Sequence, residues 1–275
     1  MKTKDFVATA GGFPDTPTMP LLFLGHGSPM NAIEENEFTR TWRNIGASLL
    51  RPRAILCISA HWETNGTYVT AMESPPTIHD FYGFPRELSE VTYPAPGSPE
   101  LADDTKRLVT RAIVELDRSW GLDHGCWSVA RHLYPDAGVP VIQMSLDRTK
   151  PAAWHYELAR ELSPLREKGV LILGSGNIVH NLGIMDWRAP QGGYDWAVEA
   201  NEQLKGLIRD HQHDELMSYG SLGKEVRLAV PTPEHYIPLM YILGLQRTRE
   251  VVQFSNDKTV YGSIAMTSVR ISPGG

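Results

Sequence analysis

Histidine is the side chain to follow in this chain, which carries ten of them against two cysteines. Three sit just beyond apolar runs. His26 follows LLFLG, His61 follows AILCISA, and His180 lies a few residues past VLILG in GSGNIVHNL. A fourth, His235, falls in PTPEHYIPL after VRLAV. Neutral imidazole ligates zinc, iron, copper and nickel. Three protein ligands with open positions are what a catalytic metal site needs. Any one of these histidines alone reads as a hydrogen-bonded structural residue. Four of them, each beyond a buried run, point to one shared divalent metal.

The local contexts add roles and alternatives. Gly25 and Gly27 let the backbone turn sharply around His26. Glu63, two residues past His61, reads as an orienting carboxylate or as a solvated surface group. Glu234 and His235 are adjacent and point in different directions, so one of them faces the metal. Glu234 would give two His and a carboxylate; His235 would give an all-imidazole set. His79 in TIHDFYGFP and His124 in LDHGCW read as substrate contacts, proton relays or turn residues. His132, His155, His211 and His213 read as surface or packing residues.

The elements that must deliver these side chains follow from patterning. Apolar runs at 19–24, 53–60, 67–72, 139–146 and 170–174 read as strands, as do Val226 to Val230, Val251-Val252 and Tyr261 to Val269. Helical spacing covers 38–50, 100–116, 152–166, 194–210 and 234–245, with Ser98-Pro99 as a start signal for the second and His124 just after its end. Strand and helix alternate, and several strands are apolar throughout. The expected fold is therefore α/β, a single domain with a central, mostly parallel sheet flanked by helices on both faces. In such sheets ligands bind outside the carboxyl ends of the strands, where the histidines fall. Residues 74–99, rich in Pro and aromatics, read as a lid or binding loop. Residues 1–18 read as a flexible N-terminal arm and 19–275 as the catalytic domain.

Composition removes other classes. Of 275 residues, 41% are hydrophobic and 21% charged, a globular balance, and the net charge of −6 gives no electrostatic footprint for nucleic acid. Two cysteines, Cys57 and Cys126, offer neither a disulfide framework nor a thiolate metal site. The first ten residues lack the apolar core of a signal peptide, and no run approaches the roughly 20 apolar residues of a membrane span. The expectation is a cytoplasmic protein with no nucleic-acid or membrane partner; oligomeric state is not legible.

Taken together, GHGSPM, SAHWET, TIHDFYGFP, the DHG at 123–125, GSGNIVHNL and PTPEHYIPL resemble the class III extradiol ring-cleaving dioxygenases, in particular the 4,5-DOPA dioxygenase-like branch. Six motifs in this order cover the chain from about Pro20 onward. The resemblance implies a mononuclear non-haem metal site. It implies cleavage of a catechol between a hydroxylated carbon and its non-hydroxylated neighbour, with both atoms of O2 incorporated. L-DOPA, opened to its seco semialdehyde, or a related catechol is the implied substrate. His26 and His61 match the first two ligands and His235 the third. His180 matches a histidine used in acid–base work or as a further ligand, and His124 one close to substrate. Fe(II) is expected for turnover, with Zn(II) plausible as the ion found on purification. On this reading His180 is the base, His124 assists, and His79, Tyr82, Phe81 and Trp62 hold the ring. A zinc hydrolase on the same histidines, or a binding protein on this scaffold, are the competing readings.

Overall fold

A computed structural model describes residues 15–274. The strands run in chain order as β1 (Leu21–Gly25), β2 (Ala54–Thr64), β3 (Thr67–Thr70), β4 (Val114–Asp117), β5 (Val141–Asp147), β6 (Val170–Gly176), β7 (Val251–Ser255), β8 (Thr259–Val260), β9 (Ile264–Ala265) and β10 (Ser268–Ser272). Eight of them form one sheet in the order β4-β3-β5-β2-β6-β1-β10-β7. The four middle strands, β5-β2-β6-β1, are parallel; β10 and β7 close one edge antiparallel. The α/β expectation holds, and its cause is visible in side-chain alternation. Leu21 and Phe23 of β1 face one core while Leu22 and Leu24 face a second. Helices α1 (Glu37–Ser48) and α3 (His124–Leu133) cover one face through Trp42 and Trp127. Helices α4 (Ala152–Glu161), α5 (Asp195–Arg209) and α7 (Ile237–Gly244) cover the other through Leu158, Leu204 and Leu239. Helix α2 (Pro99–Leu108) starts with Ser98 as N-cap and Pro99 in its first turn, as read from sequence.

The expected strand over Tyr261 to Val269 divides into β9 and the start of β10, with Tyr261 at φ +50° outside both, and three further elements differ. The helix over 100–116 stops at Leu108, and 114–117 becomes β4, paired parallel with β3. Glu161 of α4 takes the freed backbone groups: its Oε2 accepts from Thr110 N at 2.5 Å and Arg111 N at 3.1 Å. That carboxylate comes from 50 residues away, so the local pattern could not announce the break. Val226 to Val230 is not a strand. Lys224–Ala229 forms helix α6, burying Val226 and Ala229 three residues apart on one face. His235 is therefore delivered by a turn between two helices. Finally, His124 opens a helix instead of following one. The arm expected over 1–18 falls largely on residues 1–14, outside the described residues. At its end, Thr16 N is tied to Glu167 O at 2.7 Å.

The sheet's carboxyl edge is built to close backbone tolerances. A Cβ on Gly176, at the end of β6, would stand 2.1 Å from the carbonyl oxygen of His235. Asn177 N donates to that same oxygen at 2.9 Å. Both contacts are to backbone and cannot give easily. Gly176→Ala is therefore expected to cost about 1–3 kcal/mol of stability, the range for overpacking a dense interior. Urea unfolding of the variant beside the parent checks this.

Candidate active site

Five imidazoles converge at the carboxyl edge of the parallel strands. His26 follows β1, with its N–H donating to Gly176 O at 3.2 Å and its carbonyl accepting from Asn31 Nδ2 at 3.0 Å. Gly27 next to it adopts φ +60°, a conformation natural to glycine. His61 lies within β2, where the pairing register with β5 slips between Ile58 and Glu63; such a bulge re-aims a side chain. His124 is the first residue of α3, whose N-cap Asp123 accepts from Cys126 N. A Cβ on Gly125 would meet His61 Cδ2 at 2.8 Å, so the bare glycine is what lets α3 approach His61. His180 N donates to Ala229 O at 2.8 Å. His235 sits in the turn whose Tyr236 and Ile237 amides donate to Pro233 O.

The Nε2 atoms of His26 and His61 are 3.1 Å apart. Ring centroids of His26, His61 and His235 are 5.0, 5.0 and 5.2 Å apart. His180 stacks face to face on His235 at 3.5 Å. The donors of His26, His61 and His124 lie within 4.8 Å of one another, as do those of His180, Glu234 and His235.

Hydrogen bonds behind the rings set their tautomers. Ser175 Oγ spends its proton on Gly125 O at 2.5 Å, so it accepts from His26 Nδ1 at 3.0 Å. His124 Nδ1 and His61 Nδ1 both face Asp80 Oδ2, at 3.0 and 3.5 Å. His235 Nδ1 faces Glu234 Oε1 at 3.2 Å. For His26 and His235 the oxygen accepts from Nδ1 and Nε2 is left as a lone pair, while at His61 and His124 the Asp80 carboxylate stands beside Nδ1. Ligating histidines are oriented in this way. Burial first, then neighbouring imidazoles, drive protons off the cluster. His26 and His235 are held well below the usual histidine range, His61 is lowered to about 3 and His180 to about 4. Metal ligands must be deprotonated, so a neutral cluster is competent. Two nitrogens at about 2.0–2.1 Å from one ion stand roughly 2.9–3.4 Å apart for bond angles between octahedral and tetrahedral, which the His26–His61 separation fits. The donor set thus suits a divalent transition metal.

The cluster floors a cavity of about 760 Å³ that His26, His61, His124, His180 and His235 all line. Phe81 and Tyr82 line it too, Tyr82 lying at the mouth with 94% exposure. Two expected substrate contacts lie elsewhere. Trp62 is buried and stacked on Trp120, centroids 5.6 Å apart. His79 Nε2 donates to Val91 O at 2.9 Å and pins the Pro/aromatic segment. Glu63 is exposed; Asp80 is the carboxylate at His61. Asp80 was not singled out, although it adjoins His79 in TIHDFYGFP, because nothing in spacing pairs residue 80 with 61 and 124. Ser175 was missed for the same reason. Behind them Asp123 is fully buried, bonded to Ser59 Oγ at 2.6 Å and Gln143 Nε2 at 2.7 Å. Burial and the Asp80 charge raise its pKa.

A concave site at the carboxyl edge of a parallel sheet, floored by histidines, is the layout of a small-molecule enzyme. Comparison with known proteins names the class. The family described as the catalytic LigB subunit of aromatic ring-opening dioxygenase matches residues 17–271. The 4,5-DOPA dioxygenase extradiol of Escherichia coli K12 is 48% identical over 92% of this chain and 94% of its own length. That of Beta vulgaris is 36% identical over 90% and 96%. A crystal structure of an uncharacterized Escherichia coli K12 protein superposes with a TM-score of 0.81 at 44% identity, covering 92% of this chain and all of that one. The chain belongs to the LigB family of aromatic ring-opening dioxygenases. It is an extradiol dioxygenase, an enzyme acting on a small aromatic molecule and O2. No helix among the described residues is long and apolar enough to cross a membrane.

Two outcomes follow from the bonding behind the rings. Asp80→Asn is expected to weaken metal binding about 10–100-fold, the usual cost of losing a carboxylate behind ligating histidines; competition with a chelator measures it. The lowered histidines also couple pH to stability. An imidazole whose folded pKa lies below its unfolded value of about 6.5 favours the native state fully above that value. As pH falls from about 6.5 toward 4, the unfolded chain takes up protons that the native cluster refuses. Metal-free protein should therefore unfold at lower urea at pH 5 than at pH 7.5, and equal midpoints would contradict the assignment.

Proposed function

We propose that this enzyme opens the ring of a catechol, L-DOPA or a catechol related to it. One divalent metal is held by His26, His61 and His235, and His180 is the acid–base group. Relatives named 4,5-DOPA dioxygenase extradiol support the substrate class. The observation that carries the ligand set is the even spacing of the three rings, 5.0, 5.0 and 5.2 Å, close to the roughly 5 Å expected of imidazoles sharing one ion. His124 is the rival third ligand, its donor within 4.8 Å of those of His26 and His61, but its ring is unevenly placed, 3.9 Å from His61 and 5.6 Å from His26. Glu234 acts from behind: its Oε1 accepts from Thr232 Oγ1 at 2.9 Å and faces His235 Nδ1.

When bound, Fe(II) would acidify the catechol hydroxyls and carry electron density from ring to O2, a role closed to zinc. The chain's own residues do the rest. His180 lies against His235 and is neutral at pH 7, so a ring nitrogen can accept a hydroxyl proton and later return it. Asp80 sets a negative charge beside His124, its Oδ2 3.0 Å from Nδ1. Phe81 and Phe84, packed edge to face at 5.6 Å, wall off water above the ring.

His26→Ala, His61→Ala and His235→Ala should each lose the metal by elemental analysis, while His124→Ala keeps it; the reverse pattern for the last two would exchange their roles. His180→Gln should keep its metal and lose about 10²–10⁴-fold in turnover. The measurement is O2 uptake and a yellow product after anaerobic loading with Fe(II), then L-DOPA and air. No uptake with any catechol would overturn the reading.

A further inference from the structure

Resting on the catechol reading above, the geometry points to a narrower substrate class: we propose that the site prefers catechols whose ring substituent is uncharged and apolar, an aryl or short alkyl group, over the charged amino-acid side chain of L-DOPA. The cavity, at about 760 Å³, lies in the upper part of the roughly 300–1,000 Å³ range of drug-sized ligand sites. A catechol ring seated on the histidine floor fills a small part of it, so the remainder surrounds the substituent.

The chemistry of that remainder is apolar. No arginine or lysine among the described residues lines the cavity, and its carboxylate, Asp80, is already engaged with His61 and His124. The cations nearest in sequence to the lining face solvent on their own partners: Arg86 on Glu90 and Arg188 on Asp186, with side chains 87% and 92% exposed. Beyond the metal at the floor, a substrate carboxylate would therefore meet no basic side chain among the described residues, and Asp80 would stand against it. Its ammonium would meet only a carboxylate that two imidazoles already share.

The mouth carries the complementary signal. Tyr82, Leu182 and Trp187 line the cavity yet are 94%, 63% and 65% exposed. They come from two separate segments, residues 80–85 and 182–187, and meet around one opening. Scattered exposed apolar residues are ordinary, but three large ones ringing one cavity mark a binding surface. Continuity with the histidine floor assigns that surface to the substituent of the same substrate.

The test is a substrate series on the Fe(II)-loaded enzyme, read as kcat/KM from O2 uptake, with calorimetric binding of the same compounds to the zinc-loaded protein. The series is 4-phenylcatechol, 4-tert-butylcatechol, L-DOPA and 3,4-dihydroxyphenylacetate. The two apolar catechols should exceed the two charged ones by roughly 10-fold or more in kcat/KM, the scale at which apolar pockets discriminate. Their binding should carry the more negative heat-capacity change. Trp187→Ser and Leu182→Ser should each lower the ratio of apolar to charged substrate several-fold through KM. L-DOPA or dihydroxyphenylacetate equal to or above 4-phenylcatechol in both measurements would overturn the preference while leaving catechol cleavage intact. Absence of turnover across the series would instead remove the catechol reading, and the binding order would still decide the preference.

Discussion

Crowding imidazoles at one buried point is the constraint around which the rest is arranged. His26 and His235 are almost fully enclosed, and His61, His124 and His180 stand within ring-contact distance of them. Protonated, such a group would repel itself and be stripped of water. Neutral, each ring must still place one N–H somewhere. Ser175 and Glu234 supply those acceptors for His26 and His235, and the Asp80 carboxylate stands beside Nδ1 of His61 and His124. The requirement explains why polar residues penetrate the sheet edge at all. Asp123, Ser59 and Gln143 form a further layer that holds the start of α3, and so His124, against β2.

Much of this was legible in the sequence because strand ends announce themselves. Four runs rich in Val, Ile and Leu became the central strands, and His26 and His180 past two of them, with His61 in a third, reached the expected edge. The family likeness carried by six motifs agreed with the comparisons. What was not legible depended on partners remote in sequence. Glu161 ends a helix that local periodicity would continue. VRLAV satisfies a strand pattern and a one-faced helix equally well, and packing on α5 decides for the helix. Asp80 carries no mark of its link to residues 61 and 124. His79, in the Pro/aromatic segment, and Trp62, beside His61, looked like substrate contacts; here one pins a loop and the other stacks with Trp120 in the interior.

The two halves of the site differ in character. The floor is polar, backbone-anchored and intolerant of added atoms, as Gly25, Gly125 and Gly176 indicate by the atoms a Cβ would strike. The walls and mouth are side chains on irregular segments, with Tyr82, Leu182 and Trp187 largely exposed. Chemistry is thereby separated from selectivity. Changes at the mouth can retune what is admitted without disturbing the histidines, whereas changes at the floor reach the strands themselves.

β6 lies between β1 and β2 in the sheet, so His26 and His61 meet only after the strand carrying Ser175 has been inserted between their own. The five rings come from positions 26, 61, 124, 180 and 235, and no two are neighbours until the topology is complete. These five rings give an ion no local foothold in the unfolded chain. Capture of an ion therefore belongs to the end of folding: it can reward a finished sheet by mass action but cannot seed one.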